Sequence, residues 1–395
     1  MRHSESPPKA SLTPASEPVR SFRFAAAEVA GAFGDLGTLI PFVAAYLAVV
    51  KLDPAAVLIA FGVPYVAAGL FYRTPFPVQP MKAIGTIAAT QPLTAGTLGA
   101  ATIQAAGLVT AVAWIFLAVT GLASRVAQWT PPQVVVGIVL GLGMSLMLEA
   151  VRLMADDWVI GAALLAAALA LLERRSFLAM LTLLVVGAGV ALWRDPTLAA
   201  RFAALEVAPR LPSISFGSIG WEELWIGATL LALPQVPLTL GNALIATVEQ
   251  SNRLFPDRPV TVRQVALSTG LMNFWSAAVG GVPLCHGAGG MAGHVQFGAR
   301  TGAAPILFGL LLVLGGVLFA DAVALFFRSF PASVLGVILF LAGAQLALGM
   351  CRLGSAKDER FVVLTTAAVA IWHVGVAFLF GLLLDLALRR GWVRL

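Results

Sequence analysis

Apolar runs of about twenty residues recur from Phe24 to the end of the chain, separated by short polar joints. Runs of that length exceed a soluble core helix and match the thickness of a bilayer. The pattern predicts an all-α polytopic protein with about fourteen membrane segments. Their expected limits are 24–50, 55–72, 76–91, 97–122, 132–154, 156–173, 176–194, 221–239, 260–280, 282–296, 301–321, 330–351, 359–372 and 373–390. Segments 3 and 10 are short and rich in Pro or Gly, which predicts half-helices. Segments 1 and 8 are interrupted, at "GDLGTLIP" and "LPQVPLTLGN".

The pattern also repeats. "PQVVVGIVLGLGMSLMLEAVRL" from Pro132 and "PASVLGVILFLAGAQLALGMCRL" from Pro331 share a leading Pro, a Gly followed by β-branched residues, and a closing Arg-Leu. They are segments 5 and 12. The short segments 3 and 10, and the broken segments 1 and 8, are likewise seven apart. An odd number of crossings turns the second copy upside down, so the expectation is a 7+7 inverted repeat. The repeats would span 24–194 and 221–391, joined by an extracytoplasmic linker at 195–220.

Composition fits this picture: 59% of residues are hydrophobic and 11% charged. The net charge of +6 reads as membrane orientation, not as nucleic-acid binding. With the amino terminus inside, about 18 Lys and Arg fall on the cytoplasmic side and about six outside, the expected asymmetry. Both termini are then cytoplasmic, and the expected location is the plasma membrane, or the inner membrane of a bacterium. Residues 1–23, rich in Pro and Ser, read as a disordered cytoplasmic tail. Two cysteines give neither a disulfide framework nor a metal site. No phosphate loop is present, so direct use of ATP within this chain is not expected, and no cofactor is implied.

Candidate chemistry sits in the interruptions. "PFPVQPMKAIG", Pro75 to Gly85, reads as an extended lead into a short helix beginning near Met81. Such backbone survives at membrane depth only inside protein or beside water. Helix amino termini attract anions, and Lys82 adds a full charge there. Gln79 can donate from its amide. In segment 10, "HGAGG" offers His286 and the sparsely covered N–H groups of Gly287, Ala288, Gly289 and Gly290. Segment 8 adds Asn242, as a ligand contact or as a packing residue. Arg300 is a gate or an interfacial charge. Asp35, in the break of segment 1, is a proton-coupling group, a partner for Lys82, or a helix cap. For Lys82 the plain alternative is snorkelling, for Gln79 helix packing, and for His286 a backbone-bonded core histidine. An enzyme reading would recruit Cys285, His286 and Asp35, but nothing aligns a base with Cys285.

The stretches "FGDLGTLIPF", "PFPVQPMKAI" and "PLCHGAGGMAGHVQFGARTG" resemble the signature motifs of the molybdate transporter family, relatives of the SulP sulfate permeases. The resemblance implies a core of segments 1–4 and 8–11, a gate of segments 5–7 and 12–14, and an oxyanion held between segments 3 and 10. It implies a secondary active importer of molybdate. Sulfate is the runner-up, and a passive channel on the same scaffold is the alternative. Many SulP permeases carry a STAS domain, which this sequence and the molybdate family lack. Related nucleobase transporters place a carboxylate in segment 8 or 10, and none is found near the middle of either here. The coupling ion would be H+, and pairing into a homodimer stays open.

Overall fold

A computed structural model describes residues 22, 24–90, 98–123, 125, 131–172, 176–214, 216–217, 219–349 and 356–393. Apart from Phe22, the expected tail at 1–23 lies outside the described residues. Each of the fourteen predicted segments contains a helix. Segment 1 is broken into 1a (Ala26–Ala32) and 1b (Leu36–Ala48). Segments 3 and 10 are the half-helices Lys82–Thr90 and Ala288–Gln296, of 9 residues each. At 1.5 Å per residue that is about 14 Å, half of a bilayer core.

Segment 8 differs from its expected form. It runs unbroken from Trp221 to Leu254, well past the predicted limit. Its interruption takes the form of π-helical turns at Gly227–Ala232 and Thr239–Ala246. Pro234 and Pro237 lack the N–H that the carbonyls of Leu230 and Leu233 would receive, and the ladder shifts register instead of stopping. Segment 11 (Ala303–Leu318) ends in an 87° bend, and the helix Ala320–Ser329 leads on towards segment 12.

Two packed bodies result. Segment 2 (Pro54–Tyr72) lies along segment 11, and segment 4 (Ala100–Thr120) along segment 9 (Val262–Ala278). Segment 5 (Pro132–Met154) lies along segment 12 (Ala332–Gly349) and segment 13 (Lys357–Trp372). In a membrane such pairs rest on close backbone approach by small residues. Segments 5 and 12 meet at Gly143 and Gly343. A Cβ on Gly143 would stand 2.5 Å from the Gly343 carbonyl oxygen, and one on Gly343 2.6 Å from that of Gly143. Gly343→Leu is therefore expected to lower the melting temperature by several degrees, the scale of overpacking by about 1–3 kcal/mol. Thermal unfolding in detergent checks this.

The linker is fastened to the first body. The Arg210 guanidinium donates to Asp321 at 2.7 Å and pairs with Asp53 at 3.4 Å. The Arg210 N–H donates to the Val317 carbonyl at 2.8 Å.

Candidate anion site

The two half-helices start from a shared pair of strands. Strand β1 (Gln79–Pro80) pairs antiparallel with β2 (Leu284–Cys285), Gln79 opposite Cys285 and Pro80 opposite Leu284. The N–H of Met81 donates to the Pro283 carbonyl at 2.9 Å. Asn273 clamps β2 from segment 9: its Nδ2 donates to Leu284 O at 2.6 Å, and its Oδ1 accepts from Leu284 N at 2.9 Å. Antiparallel strands leave in opposite directions. The helices that follow therefore diverge from adjacent amino termini, and their partial positive charges add.

Beside these termini lies a cavity of about 460 Å³. Gly34, Asp35, Gly37, Thr38, Lys82, Asn242, Ala288 and Gly289 line it on the side of the first body. Val139, Ala342, Gln345 and Leu346 line it from segments 5 and 12. The cavity is thus a joint between core and gate. Lys82 has no carboxylate at ion-pair distance among the described residues. A Cβ on Gly289 would meet nothing within 4 Å, so its backbone faces open space.

The other predicted site residues fall around this cavity, not all in it. Gln79 is fully buried, and its Nε2 donates to Asp35 Oδ1 at 2.7 Å. The Tyr65 hydroxyl lies 3.4 Å from Asp35 Oδ2. Asp35 stands at the start of segment 1b without capping it, and it is bound to neutral donors and not to Lys82. Gly287 and Gly290 make room for this cluster. A Cβ on Gly287 would collide with Gln79 Oε1, and one on Gly290 would collide with Asp35 Oδ2. Gly290 N–H is already directed at the Gly287 carbonyl, at 3.1 Å. Of the four predicted backbone donors, only Ala288 and Gly289 reach the cavity.

His286 is not among the cavity-lining residues. It borders an apolar groove of about 390 Å³ between segments 2 and 9. Its Nδ1 lies 2.8 Å from the Pro77 carbonyl, which only accepts, so Nδ1 carries the proton. Its Nε2 then accepts from Ser268 Oγ at 2.8 Å. Both nitrogens are engaged, and His286 holds the lead of segment 3. Arg300 also stands apart: its NH1 donates to the carbonyls of Val295 and Ala299, both at 3.1 Å, at the end of half-helix 10. Cys285 directs its thiol at the Pro80 carbonyl.

Sequence reasoning passed over several contributors. Gln235 Oε1 accepts from the Ala83 N–H at 2.8 Å, and its Nε2 donates to Thr239 at 3.0 Å. It ties the π-turns of segment 8 to the first turn of half-helix 3. Its signal was present, inside the quoted "LPQVPLTLGN". Thr38 and Gln345 supply polar lining, but a lone Thr or Gln in an apolar run carries little signal. Among the described residues no cluster of three His, Cys, Asp or Glu could hold a metal.

Paired half-helices whose amino termini open beside a lysine onto a cavity between two bodies define an anion transporter of the inverted-repeat class. The fold matches solved structures of that class. It superposes on the transmembrane domain of a cyanobacterial bicarbonate transporter, BicA, with a TM-score of 0.67, 15% identity, and coverage of 91% of this chain and 98% of that one. It superposes on the murine anion transporter Slc26a9 in its inward-facing state with a TM-score of 0.68, 11% identity, and coverage of 95% and 70%. The model for "Molybdate transporter of MFS superfamily" matches residues 27–146 and 227–346, one stretch in each half. Molybdate transporter 2 of Arabidopsis thaliana is 32% identical over 90% of this chain and 85% of its own length. Molybdate transporter 1 of the same plant is 30% identical over 94% and 90%. The chain belongs to the molybdate transporter family, related in fold to the SulP and SLC26 transporters.

Proposed function

We propose that this protein is a secondary active importer of molybdate. It works by alternating access around the cavity between the half-helices, with protons as the coupling ion. The observation that carries the reading is Lys82. It is a membrane-depth cation without a carboxylate partner among the described residues, and it lines a cavity beside two converging helix amino termini. A tetrahedral dianion gives up strong hydration on entry and needs charge and several donors in return. Lys82, the N–H groups of Ala288 and Gly289, and the Asn242 amide are placed to provide them. Thr38 adds a hydroxyl. The gate faces of segments 5 and 12 close the opposite wall, so movement of the two bodies would open the cavity to alternate sides. The names of the relatives favour molybdate over sulfate. A cavity of about 460 Å³ is too roomy for ion size alone to decide between them.

The test is uptake by purified protein in liposomes, with labelled molybdate and competing tungstate and sulfate. Saturable uptake that molybdate and tungstate block at far lower concentration than sulfate is expected. Preferential block by sulfate would transfer the assignment to sulfate. Unsaturable flux that follows the membrane potential alone would make the protein a channel.

A further inference from the structure

Segment 1a lies along half-helix 10 backbone to backbone. Gly34 packs on Gly293, and a Cβ on Gly34 would stand 2.5 Å from the Gly293 carbonyl oxygen. One turn back, the Gly31 carbonyl accepts from His294 Nδ1 at 2.7 Å. One turn further back, Glu28 Oε1 accepts from the backbone N–H groups of Arg300 and Thr301, both at 2.9 Å. Three buried ionisable groups therefore follow one another along a single seam: Asp35, His294 and Glu28, at 3%, 0% and 3% exposure. Asp35 lines the anion cavity. The far end of the seam meets Arg300, which is exposed.

Two atoms on this seam are orphaned. His294 Nε2 and Glu28 Oε2 are buried with no hydrogen-bond partner among the described residues. Packing alone needs neither: Nδ1 of His294 and Oε1 of Glu28 make the structural contacts. A buried polar atom left open costs about 1–3 kcal/mol unless water or a transferred proton meets it.

We propose that His294 and Glu28 form a proton relay between Asp35 and the Arg300 end of the seam, separate from the anion's own path. This rests on the proton-coupled reading above. Protonated Asp35 loses its proton to His294 Nε2 through an intervening water, and becomes a carboxylate. The imidazolium keeps its Nδ1–H on the Gly31 carbonyl. It then releases the Nε2 proton through water towards Glu28 Oε2, and returns to the same neutral tautomer. One proton moves and no other bond changes. The groups that bear on His294 are Asp35 and Glu28 of segment 1 and Tyr65 of segment 2, whose ring meets the imidazole edge-on at 6.3 Å. Lys82 acts on Asp35 from the cavity side. Glu249 and Arg253 lie on the end of segment 8 that packs on half-helix 10.

Two near-isosteric variants separate relay from scaffold. In His294→Asn the amide can keep the bond to the Gly31 carbonyl but has no second nitrogen. In Glu28→Gln the carbonyl oxygen can keep both backbone N–H bonds. Each is reconstituted in liposomes with molybdate, tungstate or sulfate as the driven anion and a pH dye inside. Both variants are expected to exchange anion within about twofold of the parent, and to lose at least about tenfold of pH-driven accumulation and of anion-linked proton flux. Full proton-linked accumulation in His294→Asn would overturn the relay, as would a parent that exchanges anion with no proton flux at all. A parent that exchanges sulfate but not molybdate would overturn the substrate assignment alone.

Discussion

Lys82→Ala is expected to weaken molybdate binding about 30-fold or more, the 2 kcal/mol scale for removing one partner of a buried charge pair. Among the described residues Lys82 is the one basic residue that lines the cavity, and helix termini supply only partial charges. Two neighbouring amides are already in use. Ala83 N–H is committed to Gln235, and Gly290 N–H to the Gly287 carbonyl. These two amides are therefore not free to compensate. Lys82→Arg is expected to recover part of the affinity, because a planar fork on a longer stem fills the cavity differently from a compact ammonium. Titration of purified, folded variants with molybdate provides the measurement. Affinity unchanged within about twofold in Lys82→Ala would reduce the lysine to a snorkelling side chain and move the site elsewhere.

Asp35→Asn is expected to abolish pH-driven accumulation while leaving anion exchange measurable. The change keeps the acceptor that receives the Gln79 amide at 2.7 Å, so the break in segment 1 should stay in place. What it removes is the capacity to take up and release a proton at the cavity wall. Counterflow of labelled molybdate reports exchange, and accumulation against an imposed pH gradient reports coupling. Wild-type pH dependence in the variant would show that coupling resides on another group. Increased affinity for the dianion is a further expectation, because one negative charge leaves the cavity lining.

Most of the architecture was legible as helix punctuation. The Pro-rich lead before Lys82 and the Gly-rich lead before Ala288 marked both half-helices, because each denies the backbone a regular start. "GDLG" marked the break in segment 1. Segment 8 was harder: two prolines predict an interruption, but neighbouring helices allowed it to become π-turns, and no local rule chooses between these outcomes. The site was legible by residue type and less so by direction. Lys82, Asp35, Asn242, Ala288 and Gly289 reach the cavity. His286 and Gln79 were expected to contact the anion but face other partners, because the direction of a side chain in or beside a two-residue strand depends on pairing. The register that sets Gln79 opposite Cys285 turns Gln79 towards Asp35 and His286 towards Ser268. Nothing near either residue in sequence encodes that register. Gln235 and Asn273 carry the same lesson from the other side, since their roles exist only across distant segments.

The pairing of β1 with β2 also bears on how the chain is made. Residues 79–80 leave the ribosome about two hundred residues before residues 284–285 that complete their ladder. During that interval the lead of segment 3 has no strand beside it, and its unpaired backbone cannot rest in lipid. The first half must therefore wait, held in water, against a chaperone or within the insertion machinery, and it becomes a finished structure only when its inverted copy arrives. A nascent chain stalled before segment 10 is accordingly a target for quality control, and two halves expressed as separate polypeptides would have to meet before either could mature.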